Sequence, residues 1–185
     1  MSKRVAFLRN SIAELDVAAY HAKYHNDVLA SLRLYYSKDN PGFDRRFLGS
    51  SQDEVNKERL EREEETDLRS CFAVLSALEA AFRIDYLQRR QGKRGKKNEV
   101  SRAFRQSPQG RHGRVRLDDI LEVWQVVYPN WKCVASELRS AFKFRHWLAH
   151  GRYWKPKLGR RYDFQYLYPL AVEVLEEWPL CGRND

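Results

Sequence analysis

Apolar residues recur every three or four positions along much of the chain, the spacing that gives a helix one apolar face. In residues 11–37, Ile12, Leu15, Ala19, Ala22, Leu29, Leu32 and Tyr36 follow this period and predict a first long helix. Asn40-Pro41-Gly42 interrupts it, and the residues up to about Gln52 read as a loop. A second long helix is expected over 53–91. Its first half, through Glu61-Arg62-Glu63-Glu64-Glu65, is densely charged, whereas Cys71 to Phe82 is apolar nearly all round and should be core. Shorter helices follow at 117–128, stopped by Pro129, and at 134–150, stopped by Gly151. A turn is expected at 155–159, then a last helix over 163–178, which Pro169 either kinks or divides. No strand pair and no internal repeat stands out. The pattern predicts an all-α fold: an up-and-down bundle of about five helices forming a single domain over 1–185.

Charge changes the picture between residues 89 and 116. Eleven Lys or Arg residues face one acid, Glu99, with glycines and few large apolar side chains. This composition reads as a long basic loop with a short helix near 101–106. The formal net charge of the whole chain is +9, which favours a polyanionic partner. Arg89, Arg90, Lys93, Arg94, Lys96 and Lys97 are the expected contacts to a phosphate backbone, joined by Arg152 and Tyr153 farther on. The acidic block at 61–65 is most simply a solvated helix face. Paired with the basic loop, it would occlude a nucleic-acid cleft. Three scattered cysteines, Cys71, Cys133 and Cys181, suggest a reducing, cytoplasmic setting. The first residues lead into no apolar signal core, and no apolar run approaches the length of a membrane span.

Candidate chemistry concentrates in the segment from Phe142 to Trp154. Arginine holds a phosphate through two parallel hydrogen bonds, and histidine moves a proton near neutral pH. On an ideal helix Arg145 and His150 lie about 140° apart. At the last turn, beside Gly151, the chain can swing the imidazole round so that the two line one rim. His146 and His150 are four residues apart, as are His21 and His25, a spacing that can bind zinc. Neither pair carries the glutamate of a zinc-protease motif, and no metal or cofactor is expected.

The Arg145-x4-His150 motif, with Leu148-Ala149-His150-Gly151 closing a helix, resembles the signature of the HEPN superfamily. The resemblance extends to Leu78-Glu79-Ala80-Ala81-Phe82-Arg83, which looks like the family's core helix, and to Ala171 through Glu176, which looks like its last. It implies a metal-independent endoribonuclease, toxin-like or acting in defence. Arg145 would contact the scissile phosphate, His150 would act as general acid or base, and His146 would be auxiliary. The 2′-hydroxyl of RNA would attack the adjacent phosphorus and leave a 2′,3′-cyclic phosphate. The resemblance further implies a homodimer with two motifs in one cleft, and an antitoxin or other regulatory protein as a partner. Two positions depart from the usual pattern. His146 stands where Asn or Asp is common, and Arg152 stands where members paired with minimal nucleotidyltransferases often carry tyrosine. The alternative expectation is a non-catalytic HEPN-like module that binds nucleotide or RNA, or serves in assembly.

Overall fold

A computed structural model describes residues 17–91, 98–106 and 115–181. These residues are all-α, with seven helices and no strand among them. The helices are α1 (Val17–Tyr35), α2 (Phe43–Arg46), α3 (Gln52–Gln91), α4 (Glu99–Gln106), α5 (Leu117–Val127), α6 (Lys132–Ala149) and α7 (Phe164–Glu177). The five expected helices correspond to α1, α3, α5, α6 and α7. Within the loop after Pro41 the chain makes one further turn, α2. The fourth helix, α4, is the short one anticipated in the basic segment.

At 40 residues, α3 is the spine of the molecule, about 60 Å long at 1.5 Å per residue. Helices α1, α4, α5, α6 and α7 all pack against it. Its second half buries Cys71, Val74, Leu75, Leu78, Ala81, Phe82, Asp85, Tyr86 and Arg89, a stripe at steps of three and four. Phe72, Ser76 and Glu79 lie on the flank of that stripe and are only partly buried. The segment predicted to be core all round is therefore one-sided, and its other side is free to build a site.

The charged first half of α3 is held by pairs one turn apart, Arg59–Glu63 at 2.8 Å and Arg69–Glu65 at 3.0 Å. Here a second small core of Tyr36, Phe43 and Val55 fastens α1 and α2 to α3. Farther along, His25 is buried against the Phe164 ring, 4.0 Å between centroids, and its Nδ1 shares a hydrogen bond with Ser70 Oγ at 3.0 Å. Asp67 accepts the backbone N–H of Phe164 at 3.1 and 3.2 Å, so a carboxylate from the spine caps the first turn of α7. Asp163, the residue before that turn, adds a second cap by accepting from the Tyr166 N–H at 2.9 Å. The helix then runs through Pro169 without dividing.

The expected basic loop is corrected at its start, where Arg89 to Gln91 complete α3; the short helix expected near 101–106 is α4, beginning two residues earlier at Glu99. Val100 and Phe104 are fully buried, the Phe104 ring standing edge-on to Tyr86 at 5.1 Å. Val100 and Phe104, four apart, dock this two-turn helix, and Glu99, Arg102 and Gln106 stay exposed. Lys93, Arg94, Lys96 and Lys97 lie outside the described residues.

Candidate functional site

The site grows from the end of α6. Ala135, Leu138, Ala141, Phe142 and Phe144 bury one side of this helix. That orientation carries Arg145 on the flank facing α3. Its Nε donates to Ser76 Oγ at 3.4 Å, its Nη1 lies 3.4 Å from Glu79 Oε2, and its guanidinium sits 5.3 Å from the Phe72 ring centre. Glu79 also holds Arg83, at 2.7 Å. One carboxylate thus positions two guanidiniums at the same rim.

Helix α6 ends at Ala149, and His150 caps it, exposed, with its N–H directed to the His146 and Trp147 carbonyls. Gly151 follows at φ +80°, in the left-handed region that glycine enters without steric cost. The Arg152 N–H then returns to the Trp147 carbonyl at 3.3 Å, closing the helix as a Schellman turn does. Arg152 itself sits at φ +59°, and its side chain reaches back to Glu65 at 2.7 Å. Glu64 pairs with Arg161 in the same way, at 3.7 Å. The acidic block is therefore partly solvated and partly an anchor for the segment after α6.

That segment, α6, α3 and the start of α5 line an open cleft of about 750 Å³. Its lining carries six cations, Arg83, Arg116, Arg139, Lys143, Arg145 and Lys157, against two acids, Glu79 and Asp118. His146 lines it too. The His150 ring is tilted at 52° against His146, 4.2 Å between centroids, and the Trp154 ring lies 6.2 Å from His146 at 55°. The cleft can hold phosphate oxygens by charge, and its rim can exchange a proton through imidazole.

Of the residues expected to act together, Arg145 and His146 share the cleft, and His150 joins them through His146. Arg145 turns toward α3, and no contact links it to His150 among the described residues. Arg152 and Tyr153 are exposed on the turn just beyond, Tyr153 at 83 %. Arg90 is partly buried and donates to the Tyr86 hydroxyl. Arg89, expected to face nucleic acid, is instead 4 % exposed and paired with the fully buried Asp85 at 2.7 Å. Its Nη2 donates to the Pro179 carbonyl, which pins the chain leaving α7. Position in the chain suggested a surface arginine; the i,i+4 spacing from Asp85 was the available signal for a tied one.

The residues not foreseen are Arg139 and Lys143, with Arg83, Arg116, Lys157 and Trp154. Arg139, Lys143 and His146 were legible as one face of α6, at steps of four and three. The others come from α3, from the start of α5 and from the segment after α6, and only the fold gathers them. His25 is engaged with Ser70 and Phe164, so the His21/His25 spacing does not set up a zinc pair. Among the described residues, no three His, Cys, Asp or Glu side chains cluster as metal ligands. Likewise, none of their helices is long and apolar enough to cross a membrane.

Set against known proteins, the chain matches no family model, no curated protein and no solved structure. The reading of this site therefore rests on its own residues. Burial pushes the Cys71 thiol and the Tyr162 hydroxyl well up, which makes both poor nucleophiles. The cleft itself offers guanidiniums, two lysine ammonium groups, the His146 imidazole and two carboxylates.

Proposed function

We propose that the protein is a metal-independent endoribonuclease of the HEPN type, with RNA held in the cleft between α3, α6 and the segment after α6. The observation that carries this reading is a cleft lined by six cations and His146, with the His150 ring tilted against His146 at 4.2 Å between centroids. Arg145 would offset the charge that grows on the phosphate during in-line attack. Glu79 and Ser76 hold it in place for that role. His150 would move the proton, with His146 assisting. The up-and-down bundle order, a homodimer that brings two such rims together, and a regulatory protein such as an antitoxin belong to the same proposal.

The second reading, an RNA-binding module without catalysis, has one observation in its favour. Arg145 is already engaged by Glu79, Ser76 and Phe72, and it does not touch His150. One experiment separates the two: incubation of labelled RNA with the purified protein in EDTA. Catalysis predicts cleavage that leaves 2′,3′-cyclic phosphates, while matched DNA stays intact. His150→Ala should lose about 10²–10⁴-fold in rate. Arg145→Lys should remain strongly impaired, because the charge stays but the fork is gone. Equal cleavage by wild type and His150→Ala would remove the catalytic assignment, and RNA binding without any cleavage would select the second reading.

A further inference from the structure

The five tryptophans of the chain are not equivalent. Trp124 and Trp178 are buried in the core at 0 and 3 % exposure. Trp131 is only partly buried, but its ring lies flat on Trp178, 4.8 Å between centroids and 11° from parallel. Trp147 lies nearly flat on Phe144, at 5.7 Å and 22°. Trp154 differs from all four. Partly exposed like Trp131 and Trp147, it alone lines the cationic cleft, and its ring neighbours meet it only at steep angles. Tyr153 stands at 70° with centroids 4.6 Å apart, and His146 at 55° with centroids 6.2 Å apart. Among the described residues, no ring lies parallel to the indole.

The backbone that carries the indole is also tied down. The Trp154 carbonyl accepts the Nε1–H of Trp147 at 2.6 Å, which ties the segment to the last turn of α6. Two residues earlier, Arg152 is anchored to Glu65 at 2.7 Å. A flat apolar surface on a backbone ordered in advance costs less entropy to use. Its surroundings are suited to a nucleotide: Lys143 and Arg145 line the same cleft for phosphate, and Pro156 and Leu158 continue the apolar wall.

We propose that Trp154 is the platform of a nucleobase subsite, so that the cleft takes single-stranded RNA with one unpaired base stacked on the indole. The inference rests on the RNA reading above and specifies which RNA. In a duplex the bases are already stacked and paired, so a helix meets the cations but not the platform. A single strand meets both. Tyr153, Trp154, His146 and His150 form a run of rings with successive centroids 4.6, 6.2 and 4.2 Å apart. A base stacked on Trp154 therefore leaves its neighbouring phosphodiester beside the imidazoles.

The test is binding, not cleavage. The probe is a short 2′-O-methyl RNA, which has no free 2′-hydroxyl to attack, carrying one 2-aminopurine. It is offered as a single strand and as a duplex to the wild type, Trp154→Ala and Trp154→Phe. The wild type should bind the single strand more tightly and quench 2-aminopurine. Trp154→Ala should weaken single-strand binding about 5- to 150-fold, the effect of one lost stack, and abolish the quench. Its duplex binding should not change, and Trp154→Phe should retain most of the single-strand affinity. The bond to Trp147 uses the backbone carbonyl and survives both substitutions, and circular dichroism checks the fold. Unchanged single-strand binding by Trp154→Ala, or an equal loss for both probes, overturns the subsite and leaves the RNA reading standing. If the wild type binds neither probe at low salt, the RNA reading falls and the subsite with it.

Discussion

Arg89 offers the sharpest test of how the basic stretch is used, because its position suggests a phosphate contact and the fold gives it a core role. Arg89→Leu fills part of the same volume but leaves Asp85 buried with no opposing charge, against the Cys181 N–H, 2.8 Å away, and the Cys181 thiol. The Pro179 carbonyl loses its donor, and Trp124 loses the guanidinium 5.1 Å from its ring. The Arg105 donor to the Arg89 carbonyl, at 3.1 Å, is kept because it uses the backbone. Removing one partner of a buried ion pair costs about 3–5 kcal/mol. At roughly 2–4 °C per kcal/mol for a chain of this size, Tm should fall by about 6–20 °C. Burial pushes the Asp85 carboxyl up, and Arg89 opposes that push. In the variant the carboxyl therefore rises further above its unfolded value. The folded variant then holds a proton that the unfolded chain has released, so its stability is greatest in acid and is lost as pH rises through the folded pKa. The penalty relative to wild type should be smaller at about pH 5 than at about pH 7. Adding Asp85→Asn should recover much of the loss by removing the uncompensated charge. Urea unfolding followed by circular dichroism at the two pH values measures all of this. A cost below about 1 kcal/mol at neutral pH, or a cost independent of pH, would refute the reasoning, since a surface substitution typically changes stability by less than that. RNA binding by the folded variant should keep the wild-type salt dependence.

Two further outcomes are expected. Burial lowers the His25 pKa below the ordinary histidine value, so between the folded and unfolded pKa values the unfolded chain binds more protons and stability falls as pH drops. His25→Gln should flatten that acid limb in pH-dependent unfolding; the raised Asp67 carboxyl acts with the opposite sign and remains in both proteins. Gly151→Ala meets no atom within 4 Å of the added Cβ, so only its left-handed backbone is penalised. The cost should be about 1–2 kcal/mol in urea, and a value near zero would show that the turn relaxes freely.

The helices were legible in the sequence because a helix is a local object. Periodicity placed α3, α5, α6 and α7 to within a few residues, and Gly151 after an unbroken apolar pattern marked where α6 stops. The end of that helix left His150 exposed, since a capping residue has already turned away from the packed face. The net positive charge was likewise a property of composition alone. What each charged side chain does was settled only when helices crossed. Arg89 and Arg145 look alike in sequence, yet one is buried on Asp85 beneath the chain leaving α7, and the other stands at a cleft rim on Glu79. The difference lies in the angular position of α3 and in which elements cover its two sides. The same holds for the cleft. Arg83, Arg116, Lys157 and Trp154 come from three separate stretches of chain, and no spacing within any one of them encodes their meeting. Local pattern selects the helices and their apolar faces; packing those faces together decides which polar side chains are tied and which remain free to meet a ligand.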